Sequence, residues 1–143
     1  IQRLKGHVDI IDGDVTEPDR WWDGKPYDRI ILDAPCSGSG VIRRHPDIRV
    51  LRRHTDIPRF SCNQLNMIQQ LWPLLRRGGC LLYITCSIFP AENDAVIELL
   101  LENTKDACSV PSDYSLGEST RFGRQFLPCS EGDGLYYAIV QKC

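Results

Sequence analysis

Several widespread sequence signals are missing from this chain of 143 residues. No apolar run approaches the roughly 18 residues of a membrane-spanning helix. The phosphate-binding pattern G-x-x-x-x-G-K-[ST], the dinucleotide-binding pattern G-x-G-x-x-G and the serine-hydrolase pattern G-x-S-x-G are all absent. No repeat period is present. The sequence therefore argues against a membrane-spanning protein, a P-loop nucleotide hydrolase, a serine hydrolase and a repeat protein.

The cysteines also lack the spacing of a metal site or a disulfide framework. There are seven, an odd number, and no two are arranged as C-x-x-C. This argues against a zinc site, a thioredoxin-type motif and a secreted disulfide framework. We therefore expect reduced thiols in a cytoplasmic compartment, most of them buried as small apolar side chains, and neither a metal nor a membrane as a partner.

Neither sign of charge dominates the composition. Lys and Arg number 17 and Asp and Glu 19, for a net charge of −2, and 42% of the residues are hydrophobic. A chain of this length forms one domain by default and can bury roughly two thirds of its unfolded surface. The composition therefore predicts a globular domain with a hydrophobic core.

Apolar runs predict the strands. They occur at 8–11, 29–32 and 81–85, and the run at 29–32 is apolar on both parities, as in a strand buried on both faces. Residues 126–127 and 135–140 flank a turn-rich segment and predict a terminal antiparallel hairpin.

Two helices are predicted between these strands. The first begins at Asp56 or Ser61 and is closed by the glycine pair at 78–79. The second is opened by Pro90 and covers 91–101, whereas 103–121 is polar and predicted to be irregular. Strands alternating with helices predict an α/β fold with an open, mainly parallel sheet.

The order of the elements predicts one functional crevice. A helical crossover joins the strands at 29–32 and 81–85, so they should be parallel, adjacent and related by a right-handed connection. The loops that follow them, the first cysteine loop at 33–40 and the second cysteine loop at 86–90, then lie at the same carboxyl edge, where open α/β sheets bind ligands. Because neighbouring strands are about 4.8 Å apart, Cys36 and Cys86 could face the same crevice.

Two aspartates follow predicted strands and are candidate crevice residues. Asp33 opens the motif Asp-Ala-Pro-Cys, in which its carboxylate could hold a ring nitrogen while Pro35 fixes the direction of Cys36. The alternative is an aspartate that caps a turn beside an incidental cysteine. Asp14 follows the strand at 8–11 and is either a turn residue or a carboxylate that recognises an adenine amino group.

Cys86 ends the second buried strand and could be a nucleophile. The alternative is a structural thiol, but two strand-terminal cysteines at one crevice favour thiolate chemistry. A cysteine-phosphatase loop needs Cys-x₅-Arg, and Arg43 lies one residue too far from Cys36. None of the three histidines is obviously placed for a papain-like site. Residue chemistry by itself leaves open which of the two cysteines attacks.

A basic segment follows the first cysteine loop. Five arginines lie within eleven residues, at positions Arg43, Arg44, Arg49, Arg52 and Arg53. Such a concentration on an otherwise acidic chain indicates contact with a nucleic-acid backbone. The alternatives are a solvated face and pairing with acids inside the fold. We expect a mixture, in which some of these arginines meet RNA.

Together these motifs resemble the catalytic domain of the Sun-type ribosomal RNA cytosine-5 methyltransferases, the Fmu or small-subunit methyltransferase B group of the Nop2/Sun family. The matching segments are DAPCSGSG at 33–40, RRHPDI at 43–48, YITCS at 83–87, PAEN at 90–93 and EGDGLYYA at 131–138. The resemblance covers nearly the whole chain apart from 103–121.

The resemblance implies a fold, a cofactor and a role for each candidate. The fold would be Rossmann-like and the methyl donor S-adenosylmethionine. Cys86 would add to C6 of a cytosine in small-subunit ribosomal RNA, and Cys36 would assist product release. Asp33 would hold the cytosine ring near the cofactor, and Pro35 would shape the loop. Asp14 would lie near the cofactor adenine, and Arg43, Arg44 and Arg49 are the expected RNA contacts.

The chain departs from this family in what lies upstream. Relatives carry a Gly-rich cofactor loop, an acid that holds the ribose and an N-terminal RNA-binding domain, and none of these motifs is found here. We therefore expect residues 1–143 to be the carboxyl-terminal part of one methyltransferase catalytic domain, lacking its first strands and exposing an apolar sheet edge. We also expect weak or no cofactor binding by this chain alone. The alternatives are a non-catalytic RNA-binding fragment that uses the Arg43–Arg53 patch and a thiol hydrolase.

Overall fold

The computed structural model describes residues 8–111 and 117–143. It contains the following helices and strands: β1 Tyr27–Asp33, α1 Ile48–Leu51, α2 Asp56–Leu71, β2 Leu75–Thr85, α3 Asp94–Asn103, β3 Ala107–Val110, β4 Glu118–Ser119, β5 Gly123–Phe126 and β6 Leu135–Lys142. Short 3₁₀ turns occur at Pro18–Arg20, Ser39–Val41, Trp72–Leu74 and Pro90–Glu92. Within the described ranges, no helix is long and apolar enough to cross a membrane.

The strands form one mixed sheet in the order β1-β2-β6-β5-β4, with β3 also paired to β6. β1 and β2 are parallel, as predicted, and their register places Asp33 opposite Ile84. The other strand pairs are antiparallel, including the predicted terminal hairpin of β5 and β6. The α/β fold is therefore confirmed, but within the described residues the sheet is mixed rather than mainly parallel, with β1–β2 as its parallel pair. β5 and β6 pair antiparallel because a short connection joins them, whereas parallel strands need a longer crossover such as a helix.

α2 and α3 cover one face of this sheet. In β2, Leu81, Tyr83 and Thr85 are fully buried, and they pair in register with the buried Val140, Ala138 and Tyr136 of β6. The helices contribute buried apolar side chains to the same cluster, namely Ile68, Leu71, Val96, Ile97 and Leu100. This core fixes the positions of the loops that leave the carboxyl edge of β1 and β2.

Two predictions about the first strands are wrong. Residues 8–11 form no strand, and Ile10 is 85% exposed. β1 is buried on one face only, because Leu32 is 6% exposed whereas Ile31 is 69% exposed. The physical reasons differ. Residues 8–11 have no strand to pair with among the described residues, in which β1 is the edge of the sheet. Ile31 is exposed because α2 and α3 cover only the other face of the sheet, where Leu32 lies.

The boundaries of the helices also differ from the prediction. α2 begins at Asp56 but ends at Leu71, because Pro73 has no N–H to continue the helical ladder. The glycine pair at 78–79 lies inside β2, where Gly78 takes a φ of +73° and the pairing with β1 shifts register. α3 begins at Asp94 after a 3₁₀ turn. The segment 103–121, predicted to be irregular, contains β3 and β4, and its residues 112–116 lie outside the described ones.

The expectation of reduced thiols throughout is wrong for one pair. Cys108 and Cys143 form a disulfide, with Cα atoms 6.4 Å apart. The reason is the pairing of β3 with β6, which brings together residues 35 positions apart in the sequence. The five other cysteines are free, but Cys62 and Cys129 are exposed rather than buried.

Candidate active site

The two cysteine loops meet at the carboxyl edge of the parallel strand pair. The Ala34 N–H donates to the Ile84 carbonyl oxygen at 2.9 Å, which carries the pairing just past the end of β1. The Gly40 N–H donates to the Cys86 carbonyl oxygen at 2.8 Å. As a result Cys36 Sγ lies 3.2 Å from Cys86 Sγ, within hydrogen-bond distance for sulfur. The predicted proximity of the two thiols is therefore present.

The contact makes the two thiols chemically unequal. The hydrogen bond from Cys36 lowers the pKa of Cys86 to about 7, against the opposing effects of burial and of the nearby Asp33 carboxylate. The same hydrogen bond, together with burial, raises the pKa of Cys36. A thiolate is the nucleophilic form of cysteine. The direction of the two pKa shifts thus favours Cys86 as the thiolate of the pair and Cys36 as the thiol that donates to it.

A buried carboxylate joins the two cysteine loops through hydrogen bonds to both of them. Glu92 is fully buried. Its Oε1 accepts from the Ser37 N–H at 2.8 Å, and its Oε2 accepts from the Ser87 hydroxyl at 2.6 Å. Gln64 adds a donor to Oε1 at 3.3 Å and also donates to the Pro35 carbonyl oxygen at 2.9 Å. Because a buried charge is costly unless it is hydrogen-bonded, this carboxylate holds the residues that follow Cys36 and Cys86 in a defined arrangement.

Asn93 extends the same network toward the terminal hairpin. Its Oδ1 accepts from the Thr85 hydroxyl at 2.6 Å, and its Nδ2 donates to the Ser87 carbonyl oxygen at 3.0 Å and to Gln125 Oε1 at 2.8 Å. Neither Glu92 nor Asn93 was singled out as a site residue from the sequence. The signal that could have found them is the segment PAEN, which matches the family but lies outside both cysteine motifs.

Two glycines allow close contact between the first cysteine loop and the hairpin loop, which is the connection 127–134 between β5 and β6. The Gly134 N–H donates to the Gly40 carbonyl oxygen at 2.8 Å. A Cβ at Gly40 would lie 2.3 Å from the Gly134 carbonyl oxygen, so no side chain fits at this crossing. The contact supports the first cysteine loop on the side of the hairpin.

Arg43 and Arg44 also bind the hairpin loop. Both guanidinium groups pair with Asp133, and Arg43 Nη1 donates to the Cys129 carbonyl oxygen at 2.9 Å. The two side chains remain more than half exposed. Their observed partners are therefore within the fold, and their predicted contact with RNA stays a prediction.

The remaining arginines divide in the same way. Arg52 Nε donates to the Ser37 carbonyl oxygen at 3.0 Å, and its guanidinium lies 5.0 Å from the centre of the Phe60 ring. Arg49 and Arg53 are exposed and have no ion pair within residues 8–111 and 117–143. The internal part of the expected mixture is present, and contact of the exposed arginines with RNA stays a prediction.

The two candidate aspartates lie in different environments. Asp33 is exposed at the carboxyl edge, and its carboxylate has no hydrogen bond or ion pair within the described part of the chain. Asp14 is exposed in a turn, where its Oδ1 accepts from the Thr16 N–H at 2.8 Å and from the Thr16 hydroxyl at 2.7 Å. These hydrogen bonds hold the pKa of Asp14 below its ordinary value. The observed contacts of Asp14 are therefore those of a turn residue. Separately, no group of three or more metal-ligating side chains occurs among the described residues.

Solved structures define the class of protein to which this fold belongs. The crystal structure of NSun6 from Pyrococcus horikoshii with SFG superposes with a TM-score of 0.79 at 25% identity, over 92% of this chain and 34% of that chain. A methyltransferase homolog protein from Pyrococcus horikoshii gives a TM-score of 0.74 at 28% identity, over 92% of this chain and 43% of that one. The chain thus has the Rossmann-like fold of this methyltransferase class.

The sequence narrows the class to one family. The sequence model of the family described as 16S rRNA methyltransferase RsmB/F matches residues 1–141, and the chain belongs to that family. Ribosomal RNA small subunit methyltransferase B of Vibrio cholerae is 47% identical over 99% of this chain and 32% of its own length. The protein of the same name from Pseudomonas putida is 45% identical over 99% of this chain and 33% of its own length. The chain spans about a third of the length of these relatives.

Proposed function

We propose that this chain carries the catalytic thiols of an S-adenosylmethionine-dependent methyltransferase that modifies C5 of a cytosine in small-subunit ribosomal RNA. The observation that supports it most is the 3.2 Å contact between Cys36 and Cys86, which lowers the pKa of Cys86 to about 7. The relatives are named for methylation of small-subunit ribosomal RNA, and that substrate is proposed here by their similarity. Such a substrate implies a cytoplasmic site of action.

The proposed reaction begins with the Cys86 thiolate. Its sulfur forms a bond to C6 of the cytosine, and the electron pair of the C5–C6 double bond moves so that C5 becomes nucleophilic. S-adenosylmethionine supplies, when bound, the methyl group that C5 accepts. Water at the exposed carboxyl edge then takes the C5 proton, the electron pair of that C–H bond re-forms the C5–C6 double bond, and the Cys86 Sγ–C6 bond breaks with its pair remaining on sulfur. The thiolate is regenerated, so the protein is unchanged after one cycle.

The neighbouring residues take supporting roles in this proposal. Cys36 Sγ lies 3.2 Å from the sulfur that must leave, so a hydrogen bond donated by the Cys36 thiol would stabilise the departing thiolate and assist product release. The Asp33 carboxylate is exposed at the same edge without a described partner, and is therefore available to accept from the cytosine amino group or from a protonated ring nitrogen. Pro35 stiffens the loop between them.

The residues of this chain fit part of a site for S-adenosylmethionine. SFG, present in the NSun6 structure, is an S-adenosylmethionine analogue. A carboxylate has about four acceptor positions, so Asp14 can accept from an adenine amino group while it holds Thr16. We propose that residues 1–143 are the carboxyl-terminal part of one methyltransferase domain and that the rest of the cofactor site lies upstream in the native protein. The exposure of Ile31, at 69%, supports this arrangement, because it leaves an apolar side chain uncovered on one face of the sheet.

RNA must present an unstacked cytosine to this edge. Extruding a base costs a few kcal/mol in a duplex and less in a loop. Arg49 is proposed as a phosphate contact, as are the exposed parts of Arg43 and Arg44. A second candidate function, a non-catalytic RNA-binding fragment, is favoured by the unpaired Arg49 and Arg53. That alternative does not explain why Cys86 has a lowered pKa at the carboxyl edge of the sheet.

A covalent trap tests the proposed chemistry. The native protein that contains this chain is incubated with S-adenosylmethionine and small-subunit RNA carrying 5-fluorocytidine, and the products are separated on a denaturing gel. Fluorine at C5 cannot leave as a proton would, so the Cys86 Sγ–C6 bond should persist. We expect an adduct with the native protein and with Cys36→Ala, and none with Cys86→Ala.

The control is Cys62→Ala, because Cys62 is a free, exposed cysteine away from both loops. This variant should form the adduct like the native protein. An adduct that survives Cys86→Ala but not Cys36→Ala would reverse the two roles. Absence of any adduct, with RNA binding retained, would contradict the methyltransferase proposal and favour the RNA-binding alternative.

A further inference from the structure

A cavity lies directly beside the two cysteine loops. Its volume is about 480 Å³, and it is enclosed by the first cysteine loop, α1, the start of α2 and the segment that follows Cys86. This volume falls within the roughly 300–1,000 Å³ of small-molecule sites. Ser37, the residue after Cys36, lines the cavity, so its wall includes the chain neighbour of that cysteine.

The walls of the cavity are mainly apolar. Ile48 comes from α1, Ile57 from α2, and Phe89 and Pro90 from the segment after Cys86. Phe89 is 41% exposed, so part of its ring is available to a ligand. A nucleobase offers a flat apolar face, and stacking on an aromatic ring is independent of base identity. The shape and chemistry of the walls therefore suit a base better than they suit a charged group.

Basic side chains share the lining with these apolar walls. Arg49, Arg53 and His54 all contribute to it. Neither Arg49 nor Arg53 has an ion pair within the described ranges, unlike Arg43 and Arg44, which pair with Asp133. Among the residues that the structure describes, no aspartate or glutamate lines the cavity. An apolar slot with unneutralised guanidinium groups is complementary to a nucleotide, whose base is apolar on its faces and whose phosphate is anionic.

We propose that this cavity binds the base of a nucleotide adjacent to the target cytosine, with the phosphate of that nucleotide on Arg49 and Arg53. The inference rests on the proposed function, because it takes RNA as the substrate. It adds a subsite that would hold the RNA chain while the target base lies at Cys86. It would also favour single-stranded RNA, since the neighbouring base must leave its stack to enter.

An abasic scan of the RNA tests the base contact without altering the protein. The probe is the small-subunit RNA fragment that binds the native protein most tightly, with each nucleotide in turn replaced by an abasic ribose. The dissociation constant is measured by fluorescence anisotropy. We expect one position to weaken binding about tenfold, the effect of removing one stacked base, and most others to have little effect.

Variants of the cavity wall locate that contact in the protein. In Phe89→Ala the effect of the critical abasic position should shrink to about twofold, because the stacking partner is already gone. In Phe89→Leu, the critical abasic position should weaken binding more than it does in Phe89→Ala but less than in the native protein. Leu99→Ala is the matched control, since Leu99 is a similarly exposed apolar residue on α3 at 42%, and its scan should equal that of the native protein.

Charge variants test the phosphate contact. Arg49→Gln combined with Arg53→Gln should reduce the slope of log Kd against log salt by about one unit for each phosphate that the protein no longer neutralises. Arg77→Gln removes an exposed arginine of β2 that does not line the cavity, and should leave the slope unchanged beyond a small effect of net charge.

The outcomes separate this proposal from the proposed chemistry. A critical abasic position coupled to Phe89, in a protein that forms no 5-fluorocytidine adduct, would support the cavity and contradict the cytosine chemistry. If the adduct forms but no abasic position weakens RNA binding more than the others, the cavity proposal is overturned. A critical position that is unaffected by Phe89→Ala would also overturn it. If another segment of the native protein fills the cavity, Phe89→Ala should lower the Tm and leave the scan unchanged, which is a third contradicting result.

Discussion

At the scale of single residues, one hydrogen bond makes the two cysteines unequal. The hydrogen bond between Cys36 and Cys86 lowers the pKa of Cys86 to about 7, so its thiolate fraction rises as the pH increases through 7. Cys36→Ala removes this hydrogen bond, and the pKa of Cys86 should then rise to or above the ordinary thiol value of about 8.5, because burial and Asp33 both raise it. Alkylation of Cys86 at pH 7 should slow about tenfold. Iodoacetamide labelling across the neutral pH range, resolved by peptide mass spectrometry, measures this.

Cys36→Ser separates the hydrogen bond from the reduction in volume. The serine hydroxyl is still a donor, so the alkylation midpoint of Cys86 should stay closer to that of the native protein than in Cys36→Ala. Cys62→Ala serves as the control and should leave the profile of Cys86 unchanged. If Cys36→Ala has the same midpoint as the native protein, the contact between the two sulfurs does not set the reactivity of Cys86.

A second residue-scale prediction concerns the buried carboxylate. Glu92→Gln keeps the size of the side chain but replaces one acceptor oxygen with an amide nitrogen. The Ser87 hydroxyl or the Ser37 N–H then loses its charge-assisted partner. We expect the free energy of unfolding to fall by about 1–3 kcal/mol, measured by urea denaturation. Glu102→Gln, at an exposed position of α3, should change it by no more than about 0.5 kcal/mol. Equal effects of the two changes would show that the network contributes no stability.

At the scale of elements, the fit between the hairpin loop and the first cysteine loop depends on two glycines. Gly40→Ala would place a Cβ 2.3 Å from the Gly134 carbonyl oxygen, so the two loops must separate. We expect the free energy of unfolding to fall by about 1–3 kcal/mol, together with slower adduct formation in the covalent trap. Gly132→Ala is the control, because nothing lies within 4 Å of its added Cβ. Native-like stability of Gly40→Ala would contradict the proposed close packing.

Predictions from the sequence succeed for elements whose signal is local. The β1–β2 pair, the start of α2 at Asp56 and the terminal hairpin follow from apolar runs and turn residues, and the parallel pair then brings Cys36 to Cys86. Predictions fail where the outcome depends on a distant partner. The strand at 8–11 has no neighbour to pair with among the described residues, and the disulfide of Cys108 follows from the pairing of β3 with β6.

The same limit explains what was missed in the candidate site. Glu92 lies in a helix-opening segment, and nothing in its local sequence shows that it is fully buried against both cysteine loops. The pairing of Arg43 and Arg44 with Asp133 joins residues about ninety positions apart. Motif spacing indicates only how far apart residues lie along the sequence. These contacts depend on the tertiary fold, which brings the hairpin loop next to the first cysteine loop.

At the scale of the whole molecule, the uncovered side of β1 predicts how the chain behaves in isolation. Ile31 is 69% exposed on an edge strand, with Leu82 and Ile84 half-buried on β2 beside it. Exposed apolar surface and an unpaired strand edge both favour association. We expect the 143-residue chain to self-associate with rising concentration in sedimentation-velocity experiments.

Ile31→Lys should reduce this association, because a charge on the uncovered face opposes its burial in an interface. Leu99→Lys is the control, since it adds the same charge at an exposed apolar residue on α3, on the opposite face of the sheet. That variant should associate like the unmodified chain. If residues 1–143 are part of a larger domain, as proposed, an upstream element would pack on this face of the sheet, and Ile31→Lys should then destabilise the complete domain. A monomeric isolated chain, or a native protein indifferent to Ile31→Lys, would contradict the view of residues 1–143 as one part of a larger sheet.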